Sequence, residues 1–463
     1  MTMRAVNPAT GQELATYEEH DAADVEARLA RAVEAFAAWR ERPVSQRVEP
    51  LRRLAELLRA QVDEHAARMT AEMGKPIREA RAEALKCAWV CDYYAEHAAR
   101  FLEPEPVETD AVQSLVRYDP LGPVLAVMPW NFPYWQVFRF LAPTLSAGNV
   151  GLLKHASNVP GSALAIEALC REAGYPEGVF QTLLIGSSKV EGVIRDRRVA
   201  AVTLTGSEPA GRAVARVAGD TIKPSLLELG GADPCIVLAD ADLDQAAAGA
   251  LTGRMLNGGQ SCIADKRFVV EAPVHDAFVA KLKEKMAALR VGDPTQETTD
   301  VGPLAAPAFV RDLLRQVERT IEQGATVELG GPEALAVPPY DGPGAFFPPT
   351  ILTGVTAEMT AFREETFGPV AVVTRADDAE HAIALANDSD FGLGASLYTT
   401  LERGLALAPR IETGHVAING IVKSDPRLPF GGVKRSGYGR ELGLPGIRAF
   451  VNTKTVWGTR RGA

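Results

Sequence analysis

Hydrophobic positions recur at helical spacing near the start of the chain, where Val25, Leu29, Ala32, Val33 and Phe36 share one face. A longer stretch, residues 48–101, is charged and amphipathic with the same period and predicts helix, ended by Pro104 and Pro106. From Gly122 the texture changes. Short apolar runs bounded by Gly, Pro and Asn (GPVLAVMPW, NVGLLKHAS, VAAVTLTGS) alternate with helical patterns, an order that predicts a parallel sheet covered by helices. A second block of this kind begins after Glu228: residues 234–238 read as a strand, the acidic turn ADADLD supplies a helix cap, and the next helix leads into the glycine-rich segment holding Cys262. Residues 422–463 return to extended, turn-rich sequence, and no repeat or low-complexity linker interrupts the chain.

Length narrows this to two or three domains, since 463 residues at 46% hydrophobic content can bury large cores. With 49 basic against 59 acidic residues the net charge is -10, so the basic excess that would draw the chain to nucleic acid or anionic lipid is missing. No stretch reaches the ~18 apolar residues of a spanning helix, and the first thirty residues carry acids without an apolar signal core; the expectation is a cytoplasmic protein without membrane or nucleic-acid partners. Five cysteines (Cys87, Cys91, Cys170, Cys235, Cys262) are too few and too irregular for a disulfide framework. Cys87 and Cys91 share a helix face without nearby histidines, so core packing is expected there and no metal site.

Cys262 is the exception. It ends the run NGGQSC, and Glu228 lies in LLELGG upstream. A thiol on a small-residue loop with a carboxylate at hand is the combination that covalent acyl chemistry needs: a soft nucleophile and a base for water. Taken alone, a cysteine in such a loop is more often structural, and a glutamate is more often solvated; Glu228, between Leu227 and Leu229 and before two glycines, is poorly placed for solvent. A Cys–His hydrolase is a competing use of the same thiol, but none of the seven histidines falls in a motif near Cys262, Glu228 or Asn131.

Six segments together resemble the aldehyde dehydrogenase superfamily in its own order: PWNFP at 129–133, the strand end at Lys154, TGSEPAG at 205–211, LELGG around Glu228, GQSC ending at Cys262, and EETFGP at 364–369. The likeness runs nearly end to end. Within the superfamily, KHASNVP, GQSCIADKRF and KSDPRLPFGG most resemble the short prokaryotic NADP-dependent succinate-semialdehyde dehydrogenases. The resemblance implies Cys262 as nucleophile, Glu228 as base for thioester hydrolysis, and Asn131 with the Cys262 backbone N–H as oxyanion donors. It implies that Trp130, Asn131, Lys154, Gly206, Ser207, Gly211 and Leu229 line a dinucleotide, that Glu365 holds the nicotinamide ribose, and that Phe367 packs beside the ring. Independently, the TLTGSEPAG strand end opens a helix whose amides and Ser207 hydroxyl suit a pyrophosphate, although a lone Gly-Ser before a helix is more often a simple cap. NAD-preferring relatives carry a glutamate three residues after the lysine, where this chain has Ser157; a short neutral hydroxyl beside Lys154 leaves room for a 2′-phosphate, so NADP is favoured and NAD stays usable.

An aldehyde ending in a carboxylate needs a cation at the far end of the acyl pocket. Arg139, two turns beyond Asn131 and flanked by Trp135, is the first candidate, and Arg427 the second, with Lys423 and Asn419 bordering the same mouth. Each arginine has a structural ion pair as its plain alternative. The expected architecture is an α/β aldehyde dehydrogenase-like fold: a Rossmann-like cofactor domain at 1–109 and 122–227, a small oligomerisation ribbon beginning at 110–121, a catalytic α/β domain at 228–421, and a return to cofactor domain and ribbon at 422–463. The resemblance implies a homodimer or homotetramer. Glycolaldehyde or lactaldehyde as substrate, transfer of the acyl group to coenzyme A, and a non-catalytic binding relative stay open at this point, as does the role of Asp265.

Overall fold

The apolar runs between residues 123 and 228 form the first of two parallel sheets in the computed structural model, which describes residues 2–460. Its strand order is Gly437–Tyr438, Ser225–Glu228, Ala201–Thr205, Pro123–Met128, Val150–His155, Phe180–Thr182, parallel throughout except for the outermost Gly437–Tyr438. Val150–His155 and Ala201–Thr205 are buried at every position, which explains why they read as unbroken apolar runs and not as alternation: helices cover both faces. The chain winds outward from Pro123–Met128 through Val150–His155 to Phe180–Thr182. It then returns to the other side of the first strand with Ala201–Thr205. That reversal puts a crevice beyond the carboxyl ends of Pro123–Met128 and Ala201–Thr205, where ligands of open α/β sheets bind.

The second sheet has seven strands in the order Thr326–Leu329, Thr350–Thr353, Val370–Ala376, Arg267–Glu271, Pro234–Val237, Gly394–Tyr398, His415–Ile418, again parallel apart from its first edge. The helix Leu243–Met255 begins as its acidic turn predicts, with the Asp242 carboxylate accepting the N–H groups of Asp244 (3.0 Å) and Gln245 (3.1 Å). A third, three-stranded sheet pairs Gln113–Pro120 antiparallel with Val451–Gly458 along eight residues, and Glu105–Pro106 adds to its other side.

The N-terminal part departs from its expected form in two ways. A hairpin of Thr2–Val6 and Glu13–Glu18 precedes the helix Ala22–Trp39; with only Met3 and Ala5 buried, its alternation is too faint to read in advance. The stretch at 48–101 is divided into Glu49–Ala60, Val62–Met73 and Ile77–Phe101. Gly74 ends the second in a left-handed conformation and Pro76 caps the third, so the amphipathic period continues across breaks that turn the chain. Among the described residues no helix is long and apolar enough to cross a membrane, and no group of three or more His, Cys, Asp or Glu side chains is placed to hold a metal ion.

Candidate active site

The two sheets meet at their ends. Asn131, Ser207 and Glu228 stand at or just beyond the carboxyl ends of first-sheet strands, whereas Cys262, Glu365 and Gly231 lie on the segments that enter strands Arg267–Glu271, Val370–Ala376 and Pro234–Val237 of the second. The Cys262 loop leaves its helix through left-handed Asn257 (φ 56°), Gly258 (φ 61°) and Gly259 (φ 76°). Buried Arg254 staples this turn: its Nη2 donates to the carbonyls of Gly259 (2.8 Å), Thr366 (3.2 Å) and Gly368, which joins the Cys262 loop to the 364–369 loop. Asn257 Nδ2 donates to the Asn131 carbonyl at 2.7 Å, and Asn131 Nδ2 uses one hydrogen on the Gln260 carbonyl at 3.1 Å. The Cys262 backbone N–H has no hydrogen-bond partner among the described residues.

Cys262 forms part of the wall between two cavities. The larger, about 290 Å³, is lined by Trp130, Asn131, Gly206, Ser207, Glu228, Leu229, Glu365 and Phe367. Trp130 stacks on Phe309 (4.7 Å) and meets Phe367 edge-on (5.7 Å), giving this cavity an aromatic side. Helix Glu208–Asp220 opens onto it with Ser207 as N-cap, and the Ser207 hydroxyl caps none of the helix's own amides. Those amides, that hydroxyl and the Glu365 carboxylate fit the phosphates and ribose of a dinucleotide. Gly211 is one turn further along; a side chain there would strike the Leu229 methyls at 2.6 Å, so glycine sets the close packing of helix on strand. Lys154, buried at the end of Val150–His155, and exposed Ser157 lie along the same sheet edge outside the cavity itself.

The smaller cavity, about 170 Å³, is lined by Cys262, Trp135, Arg139, Phe430, Glu79 and Lys86, with Lys423 at its border. Lys86 Nζ donates to Ser424 Oγ at 2.8 Å and sits 4.2 Å from the Trp135 ring centroid. Burial, then the neighbouring Arg139 charge, lowers the Lys86 pKa to about 8. Two turns earlier on the same helix, burial lifts the Glu79 carboxyl to about 7.

Burial also governs the reacting groups. It pushes the Cys262 thiol up to about 12 against the lowering charges of Arg139 and Lys266. Glu228, 2% exposed and with no hydrogen-bond partner for either oxygen among the described residues, is raised well above the usual carboxylate range by burial and by Glu441. Burial thus disfavours the charged form of both groups, and both face the larger cavity.

The chain matches the aldehyde dehydrogenase family over residues 1–456. It belongs to that family. A Synechocystis protein named probable succinate-semialdehyde dehydrogenase [NADP(+)] is 55% identical over 458 residues, covering 99% of this chain and 100% of that one. A succinate-semialdehyde dehydrogenase [NADP(+)] of Mycolicibacterium paratuberculosis is 52% identical over 462 residues, covering 99% and 97%. Among solved structures, succinic semialdehyde dehydrogenase from Streptococcus pyogenes in complex with NADP+ superposes with a TM-score of 0.96 at 39% identity, covering 99% of this chain and 100% of that one. The expected fold is thus the observed one, and as an aldehyde dehydrogenase the protein takes an aldehyde substrate.

Three substrate-side expectations change in this aldehyde dehydrogenase. Arg427 does not reach the smaller cavity: its backbone N–H and Nε bind Asp425 at 2.9 and 2.8 Å, and its guanidinium lies on exposed Trp89 at 5.5 Å. The short Asp-Pro-Arg turn closes this pair locally and keeps the side chain in solvent. Asn419 is likewise engaged elsewhere, donating to the Thr399 carbonyl at 2.8 Å. Arg139 does line the cavity, but its charge is already paired with buried Glu441, and its guanidinium packs on Phe430 at 4.7 Å. A cation lining this cavity that sequence reasoning missed is Lys86. Its signal was the polar stripe Glu79, Glu83, Lys86 at helical spacing in Ile77–Phe101, on a face whose neighbours are buried.

Proposed function

We propose that the protein oxidises succinate semialdehyde to succinate with NADP+, through an acyl-enzyme on Cys262. The observation that carries the reading is the thiol shared by a cavity fitted for a dinucleotide and one lined by an ammonium, Lys86. The names of the relatives point the same way. Ser157 sets no carboxylate against a 2′-phosphate, which favours NADP while leaving NAD usable.

Chemistry begins when Cys262 passes its proton to solvent water in the cavity it shares with Glu228 and its sulfur adds to the aldehyde carbon. The carbonyl oxygen becomes an oxyanion held by the Cys262 N–H and Asn131 Nδ2; donors of this kind are each worth about 3 kcal/mol. Bound NADP+ supplies a two-electron acceptor for the hydrogen on that carbon. What remains on Cys262 is a thioester. Glu228, once it has given its own proton to solvent, takes a proton from water as the water oxygen attacks the thioester carbon; the C–S bond breaks to release the acid, and the departing thiolate recovers that proton from Glu228. Lys86 holds the substrate's distal carboxylate, with Trp135 and Phe430 packing its methylenes; Arg139 holds Glu441 in place behind.

Succinate semialdehyde and butyraldehyde, each with NADP+ and NAD+ and with and without coenzyme A, test this by reduced-nicotinamide absorbance. A kcat/KM advantage for the carboxylate and no requirement for coenzyme A are expected. Equal rates for the two aldehydes refute the substrate, a coenzyme A requirement refutes hydrolysis, and no signal with any aldehyde leaves a binding protein.

The cofactor domain at 1–109 and 122–227, catalytic domain at 228–421, ribbon beginning at 110–121 and tail at 422–463 are read on the same basis, supported by the two parallel sheets and the pairing of Gln113–Pro120 with Val451–Gly458. Val451–Gly458 is an edge strand with Val456 and Trp457 exposed, a surface suited to pairing in a homodimer or homotetramer. Free cysteines, four of them buried, suit a reducing cytoplasm.

A further inference from the structure

One buried ammonium near the nucleophile has no part in the mechanism above. Lys266 is 1% exposed, and its Nζ donates to the carbonyl oxygens of Cys262 (2.7 Å) and Ser261 (3.0 Å) and pairs with Glu365 Oε1 at 3.2 Å. The same carboxylate oxygen accepts the Gly231 N–H at 3.1 Å. Burying an ammonium costs several kcal/mol, and nothing about holding a loop requires a charge. The partners are informative: besides a longer contact to the Ala264 carbonyl at 3.4 Å, two belong to the nucleophile's own peptides and one is a carboxylate that faces the larger cavity.

The two glycines after Leu229 make space for this arrangement. A Cβ at Gly230 would lie 2.3 Å from Glu365 Oε2, and one at Gly231 would lie 2.7 Å from the Cys262 carbonyl oxygen. Both groups that Lys266 joins therefore press against the segment following the base Glu228. Nucleophile loop and cavity carboxylate converge on one ammonium.

We infer that Lys266 is a positioning residue that couples cofactor engagement at Glu365 to the readiness of Cys262. The inference rests on the reading of Glu365 as the ribose anchor. In the free enzyme Glu365 shares the Lys266 charge. When ribose hydroxyls donate to Glu365, that carboxylate is partly neutralised and the ammonium acts more fully on the Cys262 loop. The Lys266 charge lowers the thiol pKa and the Glu365 charge raises it, so cofactor binding increases the thiolate fraction. By linkage, whatever factor the cofactor contributes to thiolate formation, thiolate formation returns to cofactor affinity.

Alkylation of Cys262 by iodoacetamide reads the link without turnover. The other four cysteines are at most 1% exposed, and intact mass confirms a single adduct. In the full-length wild-type enzyme, saturating NADP+ is expected to raise the alkylation rate at neutral pH by about fivefold or more, the lower bound of ordinary coupling energies. In Lys266→Met the acceleration falls below about twofold, while NADP+ still quenches protein fluorescence on binding. Lys266→Met that binds NADP+ and keeps the wild-type acceleration overturns the inference, as does a wild-type enzyme that binds NADP+ without acceleration. If Lys266→Met does not fold, Glu365→Gln reads the link from its other end and must show the same loss; a folded Glu365→Gln that binds NADP+ with full acceleration refutes it. Absence of NADP+ quenching in the wild type marks failure of the cofactor reading itself and removes this inference with it.

Discussion

Replacing Lys86 with methionine keeps the length of the stem and its packing on Trp135 but removes the charge from the smaller cavity. A charge-assisted hydrogen bond contributes roughly 1.5–3 kcal/mol, and stripping one partner from a fully buried pair costs about 3–5 kcal/mol. Lys86 is only half-buried and keeps Ser424 as neighbour, so the lower part of that span applies. About 2–3 kcal/mol corresponds to a loss of roughly 30- to 150-fold in kcat/KM for succinate semialdehyde. Butyraldehyde, which presents a methyl group to the same place, should change by less than about threefold. The pH dependence supplies an internal control. Lys86 is charged below its pKa of about 8 and neutral above it, so the wild-type preference for the carboxylated aldehyde persists below pH 8 and declines as pH rises through that value; Lys86→Met has no such decline. The assay is initial-rate NADPH absorbance with both aldehydes between pH 6 and 9.5. An equal loss on both substrates would show that Lys86 only supports the fold, and the assignment of the carboxylate end would be wrong.

Glu228→Gln should leave acylation largely intact and slow hydrolysis about 10²- to 10⁴-fold, the ordinary range for a positioned base; rapid-quench kinetics should then show an NADPH burst and mass spectrometry an acyl adduct on Cys262, whereas a missing burst would place Glu228 in acylation. Ser157→Glu should shift the NADP/NAD ratio of kcat/KM towards NAD by about tenfold or more, as expected for a carboxylate facing a 2′-phosphate; an unchanged ratio refutes the role of Ser157. Asp265 is a stability prediction. Burial lifts its carboxyl from 3.8 to about 7, so the neutral form stabilises fully below about pH 4 and that contribution fades as pH rises to 7, by up to about 4 kcal/mol. Asp265→Asn removes this component, and differential scanning calorimetry should find its Tm falling less than the wild-type Tm between pH 4 and 8; parallel curves would rule out a raised Asp265.

Local signals in the chain were readable where a short segment settles its own structure. Unbroken apolar runs announced strands buried on both faces, and Asp242 announced its helix. Family motifs carried Asn131, Glu228 and Cys262, which the fold brings around one cavity although 131 residues separate the first from the last. Pairings across long sequence distances were hidden. Nothing near Arg139 in the chain predicts that Glu441 will neutralise it. Lys86 sat within a charged amphipathic helix, where a lysine ordinarily faces water; only the packing of Trp135 and Phe430 over that face turns it inward. Arg427 failed for the opposite reason, since a carboxylate two residues away satisfied it before the fold could use it.

The thiol's position in a shared partition has an evolutionary corollary. Because the smaller cavity draws part of its wall from helix Ile77–Phe101 while the larger draws part of its own from the first-sheet strand ends, mutations on that helix that reshape one cavity need not reshape the other. Descendants of such a scaffold can drift along two separate axes, exchanging substrates without relearning how to handle electrons.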